Sequence, residues 1–220
     1  MGEGGEGGGH QARVTGRSGN RERGRTQDGW IAVSKSGQRG GSISRSAALP
    51  PSRCVFTVKT LLIVYHSLTG GARQMAEAAR RGAAAEAGVE VRFLRAQEAG
   101  GDDVLGADGY LWVTPENLAA MAGMMKDFFD RTYYAALDRI AGRPYATLVC
   151  AGSDGENAVR QIARICQGWR LKAVSQPLIV CTHAQTPEAI LAPKMIGFKD
   201  LERCEEAGGA IAAGMAMGIF

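Results

Sequence analysis

A chain of 220 residues with 45% hydrophobic and 22% charged residues lies in the range of a globular protein with one sizeable core. Of its 26 Lys/Arg and 22 Asp/Glu, nine and four fall in residues 1–57, so 17 and 18 remain for the rest; that remainder is close to neutral, which argues against a nucleic-acid-binding face. The five cysteines (Cys54, Cys150, Cys166, Cys181 and Cys204) are odd in number and form no CxxC pair, which excludes a zinc chelate or a disulfide framework and reads as reduced thiols of a cytoplasmic protein.

Residues 1–57 open with MGEGGEGGGH and continue through Gly, Arg and Ser to PPSR without sustained apolar periodicity. Such a segment cannot bury enough apolar area to offset the entropy of ordering, and it is expected to be a disordered tail. It lacks the apolar stretch of a secretory signal, and Glu6 breaks the myristoylation pattern. Its Arg and Ser content after His10 leaves an organelle transit segment open; the reading preferred here is a translation start assigned upstream of a native one near Val58.

From Val58 onward short apolar runs alternate with longer stretches of helical spacing. Strands are expected at 59–65, 89–94, 109–113, 145–150 and 177–182. The first, fourth and fifth are nearly continuous in apolar and β-branched residues, as burial on both faces by crossover helices requires, so the pairing is expected to be parallel. Helices are expected at 72–87, 119–137, 156–169 and about 200–218, with only a short turn or helix between 101 and 108. In the third, Val159, Ile162, Ala163 and Cys166 fall at i, i+3, i+4 and i+7, while Arg160, Gln161, Arg164 and Gln167 take the other side. The apolar run at 207–220 is 14 residues long, short of the roughly 20 a membrane span needs, and reads as a buried last helix.

An open parallel sheet binds ligands beyond the carboxyl ends of its strands, where strand order reverses, which directs attention to three loops. After the first strand come Ser67, Leu68, Thr69, Gly70, Gly71 and Ala72: hydroxyls flanking a glycine turn that runs straight into a helix, an arrangement suited to a phosphate. It is neither GxxxxGK[ST] nor GxGxxG. Thr69 as an ordinary helix cap is the bland alternative. After the third strand come Thr114, Pro115, Glu116, Asn117 and Leu118, where proline could simply end the strand. After the fourth come Ala151, Gly152, Ser153, Asp154 and Gly155, with Ser153 or Asp154 expected to cap the next helix. His183, after the fifth strand, could donate a proton to a substrate; no residues stand at metal-ligand spacing. Trp112 reads as core, and Phe128, Phe129, Tyr133 and Tyr134 as core or subunit-interface aromatics.

The first loop resembles the Ser/Thr-x-Thr-Gly-x-Thr loop that wraps the FMN phosphate in the flavodoxin superfamily, matching all but the last position, where Ala72 replaces a hydroxyl. The missing bond is either absent or supplied by a backbone N–H or by Ser67. Residues 114–121, with Gly123, Lys126, Phe128, Asp130 and Arg131 as a GxxKxFxDR pattern, resemble the corresponding stretch of NAD(P)H-dependent FMN and quinone reductases of that superfamily. The resemblance implies a flavodoxin-like three-layer α/β/α sandwich with a five-stranded parallel sheet of order 2-1-3-4-5. It implies FMN held by the three loops, with Pro115, Leu118 and main-chain groups along the ring. It also implies NAD(P)H as donor, a quinone or other small-molecule acceptor, and a homodimer paired near the flavin. No catalytic side chain is expected, because hydride passes through the flavin. A flavodoxin-type electron carrier is an alternative, disfavoured because such carriers are strongly acidic around the flavin; a binding module with weak FMN affinity is another.

Overall fold

A computed structural model describes residues 58–220, so the expected disordered tail lies outside the described residues. In chain order the elements are β1 (Lys59–Tyr65), α1 (Gly71–Ala84), β2 (Val89–Arg95), α2 (Gly101–Gly106), β3 (Gly109–Asn117), β4 (Ala120–Met121), α3 (Gly123–Ala136), β5 (Pro144–Ala151), α4 (Glu156–Gly168), β6 (Lys172–Ala173), β7 (Leu178–Cys181), α5 (Pro187–Leu191) and α6 (Phe198–Ala216).

The sheet runs β2-β1-β3-β5, and both β6 and β7 pair with β5 in parallel. The fold class is the expected α/β one, but among the described residues the sheet has seven strands rather than five. The place expected for a fifth strand is divided: β6 pairs with Pro144 and Tyr145, β7 with Leu148 to Ala151, and the chain between them bulges through an exposed Ser175-Gln176-Pro177. A proline without a ladder donor belongs at such an interruption.

Alternation along the strands sends side chains to both faces. Leu62 and Val64 of β1 with Tyr110 and Trp112 of β3 join one buried cluster; Leu61 and Ile63 with Leu111 and Val113 join the other. Helices therefore cover both sides, the reason these strands read as unbroken apolar runs. The first cluster is aromatic: Trp112 stacks on Tyr110 at a centroid separation of 5.0 Å, meets Phe129 edge-on at 5.4 Å, and Phe129 meets Trp169 at 5.5 Å. The second is built of small residues, with Ala72, Ala76, Ala79 and Ala83 of α1 against Cys204, Ile211, Ala212 and Met215 of α6. There the helix backbones touch: a Cβ on Gly208 would land on the Ala79 carbonyl, and one on Gly82 on the Glu205 carbonyl.

Three expectations need correction. The helix expected from 119 begins at Gly123, because residues 114–121 form a β-hairpin instead. β3 runs past Pro115 to Asn117: its β1 neighbour ends opposite Val113, so Thr114 and Pro115 pair in the ladder with β5 alone, an edge position that proline accepts, and Glu116 and Asn117 then pair with β4. In α4, Ala163 is exposed and Gln161 is half-buried, accepting a bond from the Met121 N–H at 3.0 Å. The hairpin packed beside α4 turns that glutamine inward.

Candidate functional site

A cleft of 640 Å³ opens at the carboxyl end of the sheet, where β1 and β3 diverge. Ser67, Thr69 and Ala72 form one wall, Pro115, Glu116, Asn117 and Leu118 a second, and Ala151, Gly152 and Ser153 a third. The three loops singled out in the sequence thus meet in one place. Gly70, Gly71, Thr114, Asp154 and Gly155 do not line this cleft, and their contacts explain why.

Gly70 ends the first loop at φ +89 and starts α1 without a side-chain cap, so Thr69 is not the capping residue; the Ser67 hydroxyl instead accepts from the Gly70 N–H at 3.1 Å. Left-handed backbone of this kind suits glycine. The uncapped first turn of α1 keeps N–H groups free at the loop, the condition for holding an anion. Gly71 is buried beneath the loop, where a Cβ would come within 2.6 Å of Cys150 Sγ.

Thr114 is buried and accepts from the Ala122 N–H at 3.3 Å, closing the hairpin rather than facing a ligand. At its tip Leu118 and Ala119 both have positive φ, 50 and 56, in a two-residue connection between Asn117 and Ala120. Asn-Gly would occupy such a turn without strain; side-chain-bearing residues store on the order of 1 kcal/mol or more each. Leu118 is wholly exposed at the cleft. The tip is latched from behind: Asn157 Nδ2 donates to the Ala119 carbonyl, and Glu116 Oε2 accepts from the Gly155 N–H at 3.0 Å. Gly155 begins α4 at φ +88 with no side-chain cap, so neither Ser153 nor Asp154 takes the expected capping role; Asp154 is exposed outside the cleft.

Glu116 Oε1 is buried and has no partner. Buried acceptors are ordinarily bonded, and this one, on a residue that lines the cleft, suits an N–H brought by a ligand. An uncapped helix start and an unpartnered buried acceptor thus meet at one cleft, which offers N–H donors to an anion and an acceptor to an N–H.

The GxxKxFxDR residues support the cleft without lining it. Phe128 is core, Lys126 pairs with Asp130 at 2.6 Å, and Arg131 ties α3 to the turn after β2 through the Ala99 and Ala96 carbonyls at 3.0 and 2.7 Å. Tyr133 and Tyr134 are exposed on α3 rather than core. His183 is exposed and does not line the cleft, which removes the geometric basis for a proton donor. His66 is buried and faces a separate 220 Å³ hollow behind Ser67 and Leu68, beside Arg73 and Arg95; burial pushes its imidazole below the ordinary value.

A fourth wall begins with Thr182, Ala184 and Gln185 of the loop after the last strand, which the sequence places within reach of the same rim. It continues with Ile190 and Leu191 of α5 and Lys194, which sequence reasoning missed. The start of α5 was legible, since Thr186 before Pro187 is a cap followed by proline at the first helical position, and the Thr186 hydroxyl accepts from the Ala189 N–H at 3.3 Å. Nothing local marks Lys194 as a cleft residue, because its backbone is bonded to Thr69 and Gln74, which are distant in sequence. Cys150 also lines the cleft; burial pushes its thiol up to about 11, and those of Cys166 and Cys204 to about 12, so these thiols stay protonated and are poor nucleophiles at neutral pH. Among the described residues no group of His, Cys, Asp and Glu is placed to hold a metal ion, and no helix is long and apolar enough to cross a membrane.

Residues 96–186 match the family described as NADPH-dependent FMN reductase. A flavodoxin of Aquifex aeolicus is 40% identical over 70 residues, covering 32% of this chain and 38% of that relative. An NAD(P)H dehydrogenase (quinone) of Acidithiobacillus ferrooxidans is 35% identical over 92 residues, 33% of this chain and 46% of the relative. The chain spans less than half the length of these curated relatives. Among solved structures, a flavodoxin from the domain Archaea superposes with a TM-score of 0.57 at 22% identity, covering 70% of this chain and 96% of that one. A flavodoxin, WrbA-like protein from Agrobacterium tumefaciens gives 0.53 at 17%, covering 73% and 98%. These structural likenesses speak for the fold. They show a flavodoxin-like fold, and within it residues 96–186 are similar to the family described as NADPH-dependent FMN reductase.

Proposed function

We propose that the domain at 58–220 binds FMN in the 640 Å³ cleft and acts as an NAD(P)H-dependent oxidoreductase that passes electrons to a quinone or other small acceptor. The observation that carries this reading is the convergence of the uncapped α1 start, the Leu118 hairpin tip and the unpartnered Glu116 oxygen on one cleft. The names of the matched family and of the Acidithiobacillus relative agree with it.

FMN, when bound, supplies the hydride-accepting chemistry. The chain's own residues bind and orient it. Ser67, Thr69 and the first-turn N–H groups of α1 would take the phosphate, with Gly70 shaping the turn and Gly71 and Ala72 beneath it. Pro115 and Leu118 would give the ring an apolar wall, and Glu116 would accept a ring N–H. Ala151, Gly152 and Ser153 would face its other side, with Thr114, Asn117, Asp154 and Gly155 holding the two loops that carry it. Exposed Leu118, Ile190 and Leu191 rim the opening and would limit water at the ring while leaving room for a nicotinamide or a quinone. The near-neutral balance of the domain favours the reductase over an acidic carrier that docks on a protein partner.

Purified protein should carry or take up FMN, with its visible absorbance and quenched fluorescence, and NADPH or NADH should bleach it in stopped-flow mixing. Protein that neither holds nor quenches FMN would overturn the whole reading; FMN binding without bleaching by either nucleotide would leave the electron carrier in its place. Replacing both hydroxyls, Ser67→Ala with Thr69→Ala, should weaken FMN by roughly 1–3 kcal/mol by titration.

A further inference from the structure

The loop that would take the phosphate has one hydroxyl fewer than the pattern it resembles, at Ala72, and a dianion there needs another source of positive potential. The fourth wall supplies one. Lys194 lines the cleft together with Ser67, Thr69 and Ala72. Its backbone is stitched to the loop: the Lys194 N–H donates to the Thr69 carbonyl at 2.7 Å. Gln74, on the first turns of α1, locks the same segment in place. Its amide donates to the Lys194 carbonyl at 2.6 Å and to the Gly70 carbonyl at 3.2 Å, and its oxygen accepts from the Ile196 N–H at 3.2 Å. Side chain and loop are in near contact too, since a Cβ on Gly71 would lie 3.2 Å from Lys194 Cβ.

The Lys194 ammonium is held by three main-chain carbonyls, those of Ala189 at 2.7 Å, Ile190 at 2.8 Å and Ala192 at 2.6 Å. Carbonyls orient a cation without neutralising it, and among the described residues no carboxylate forms an ion pair with Lys194. A positive charge is therefore fixed on a strap bonded to the loop. Its field reaches the cleft floor, where it draws the Cys150 thiol down against the larger upward push of burial.

We infer that Lys194 is the phosphate-binding cation of this cleft, replacing the hydroxyl absent at Ala72 and making the pocket selective for a phosphorylated flavin over its unphosphorylated nucleoside. The inference rests on the reading that FMN occupies the cleft. All three ammonium donors are already engaged, so the phosphate gains a charge-assisted bond by displacing one carbonyl, a substitution that a flexible lysine tip can make. Gln74 acts as a positioning residue, setting the strap rather than touching the ligand.

The test compares FMN with riboflavin, both titrated by fluorescence quenching against wild type, Lys194→Met and Lys194→Arg. Loss of a charge-assisted contact predicts that Lys194→Met weakens FMN about ten- to a hundredfold, leaves riboflavin within about twofold, and that arginine restores most of the difference. Equal weakening of both flavins would make Lys194 a mere brace for the strap and overturn the inference, as would unchanged FMN affinity. Should Lys194→Met fail to fold, the wild type alone decides: FMN affinity should fall with added salt while riboflavin affinity stays flat, and parallel salt curves would sink the idea. Wild type that binds neither flavin defeats the FMN reading itself, an outcome distinct from wild type that binds both alike.

Discussion

On one face of the sheet Trp112, Trp169, Tyr110, Phe128 and Phe129 fill the space between strands and helices; on the other, alanines and glycines let α1 and α6 come into backbone contact. Both faces are buried, yet they tolerate change differently. The aromatic face consists of large side chains in edge and stacked contacts, and losing one leaves a cavity that its neighbours can partly fill. The small-residue face has its geometry set by main chain, which cannot move aside. The cleft draws on both, since α1 carries the first loop, while the hairpin is latched to α4 on the aromatic side.

The largest effect should come from Gly208→Leu. Its Cβ falls on the Ala79 carbonyl, so α6 must leave α1, and overpacking against backbone belongs with the most damaging substitutions, on the order of 4 kcal/mol or more. Denaturant unfolding should find no cooperative native state, or one that has lost ligand binding at the first loop. Phe129→Ala should cost less, about 3–5 kcal/mol by the usual cavity measure with relaxation placing it at the lower end, and should keep both cooperativity and the loop. If Phe129→Ala abolished folding while Gly208→Leu did not, the contrast between the faces would be reversed.

That contrast also explains what could be read in advance. β1, β5 and β7 were legible because burial on both faces leaves a run of apolar residues, and the first and third loops because glycines and hydroxyls stand beside strand ends. The hairpin was hidden. Pro115, Glu116 and Asn117 look like loop residues, and Leu118-Ala119 carries none of the Asn-Gly signal that a two-residue hairpin normally shows. β6 is two exposed residues, Lys172 and Ala173, with no pattern to find. Lys194 is placed by partners some 120 positions away, Gln74 and Thr69, and no local window contains them.

A strained tip that displays an exposed leucine over a cleft should trade stability for binding. Leu118→Asn combined with Ala119→Gly relieves two positive-φ residues and should raise stability by about 1–2 kcal/mol, visible as a higher melting temperature. The same variant removes the apolar contact over the ring and should weaken FMN. A gain in stability with unchanged FMN affinity would leave Leu118 outside the binding site.

The smallest expected effect concerns His66, buried behind the first loop. Burial disfavours its charged form and lowers its pKa below 6.5; the Gln97 amide beside Nδ1 at 3.3 Å partly opposes this, while the Arg95 charge adds to it. In the unfolded chain the imidazole takes up a proton near 6.5, but in the folded chain it does so only at lower pH, so over that interval the unfolded state binds more protons. The contribution to stability is therefore complete above 6.5 and falls away as pH drops towards the folded value. Urea unfolding of the wild type should show this decline, superposed on the carboxylate titrations at lower pH, and His66→Gln should flatten it. The hollow that His66 faces is also lined by Ser67 and Leu68, so protonation there would place a positive charge beside the first loop. FMN affinity in the wild type should then rise relative to His66→Gln as pH falls through the folded value; parallel curves for the two proteins would confine His66 to packing and detach the hollow from the cleft.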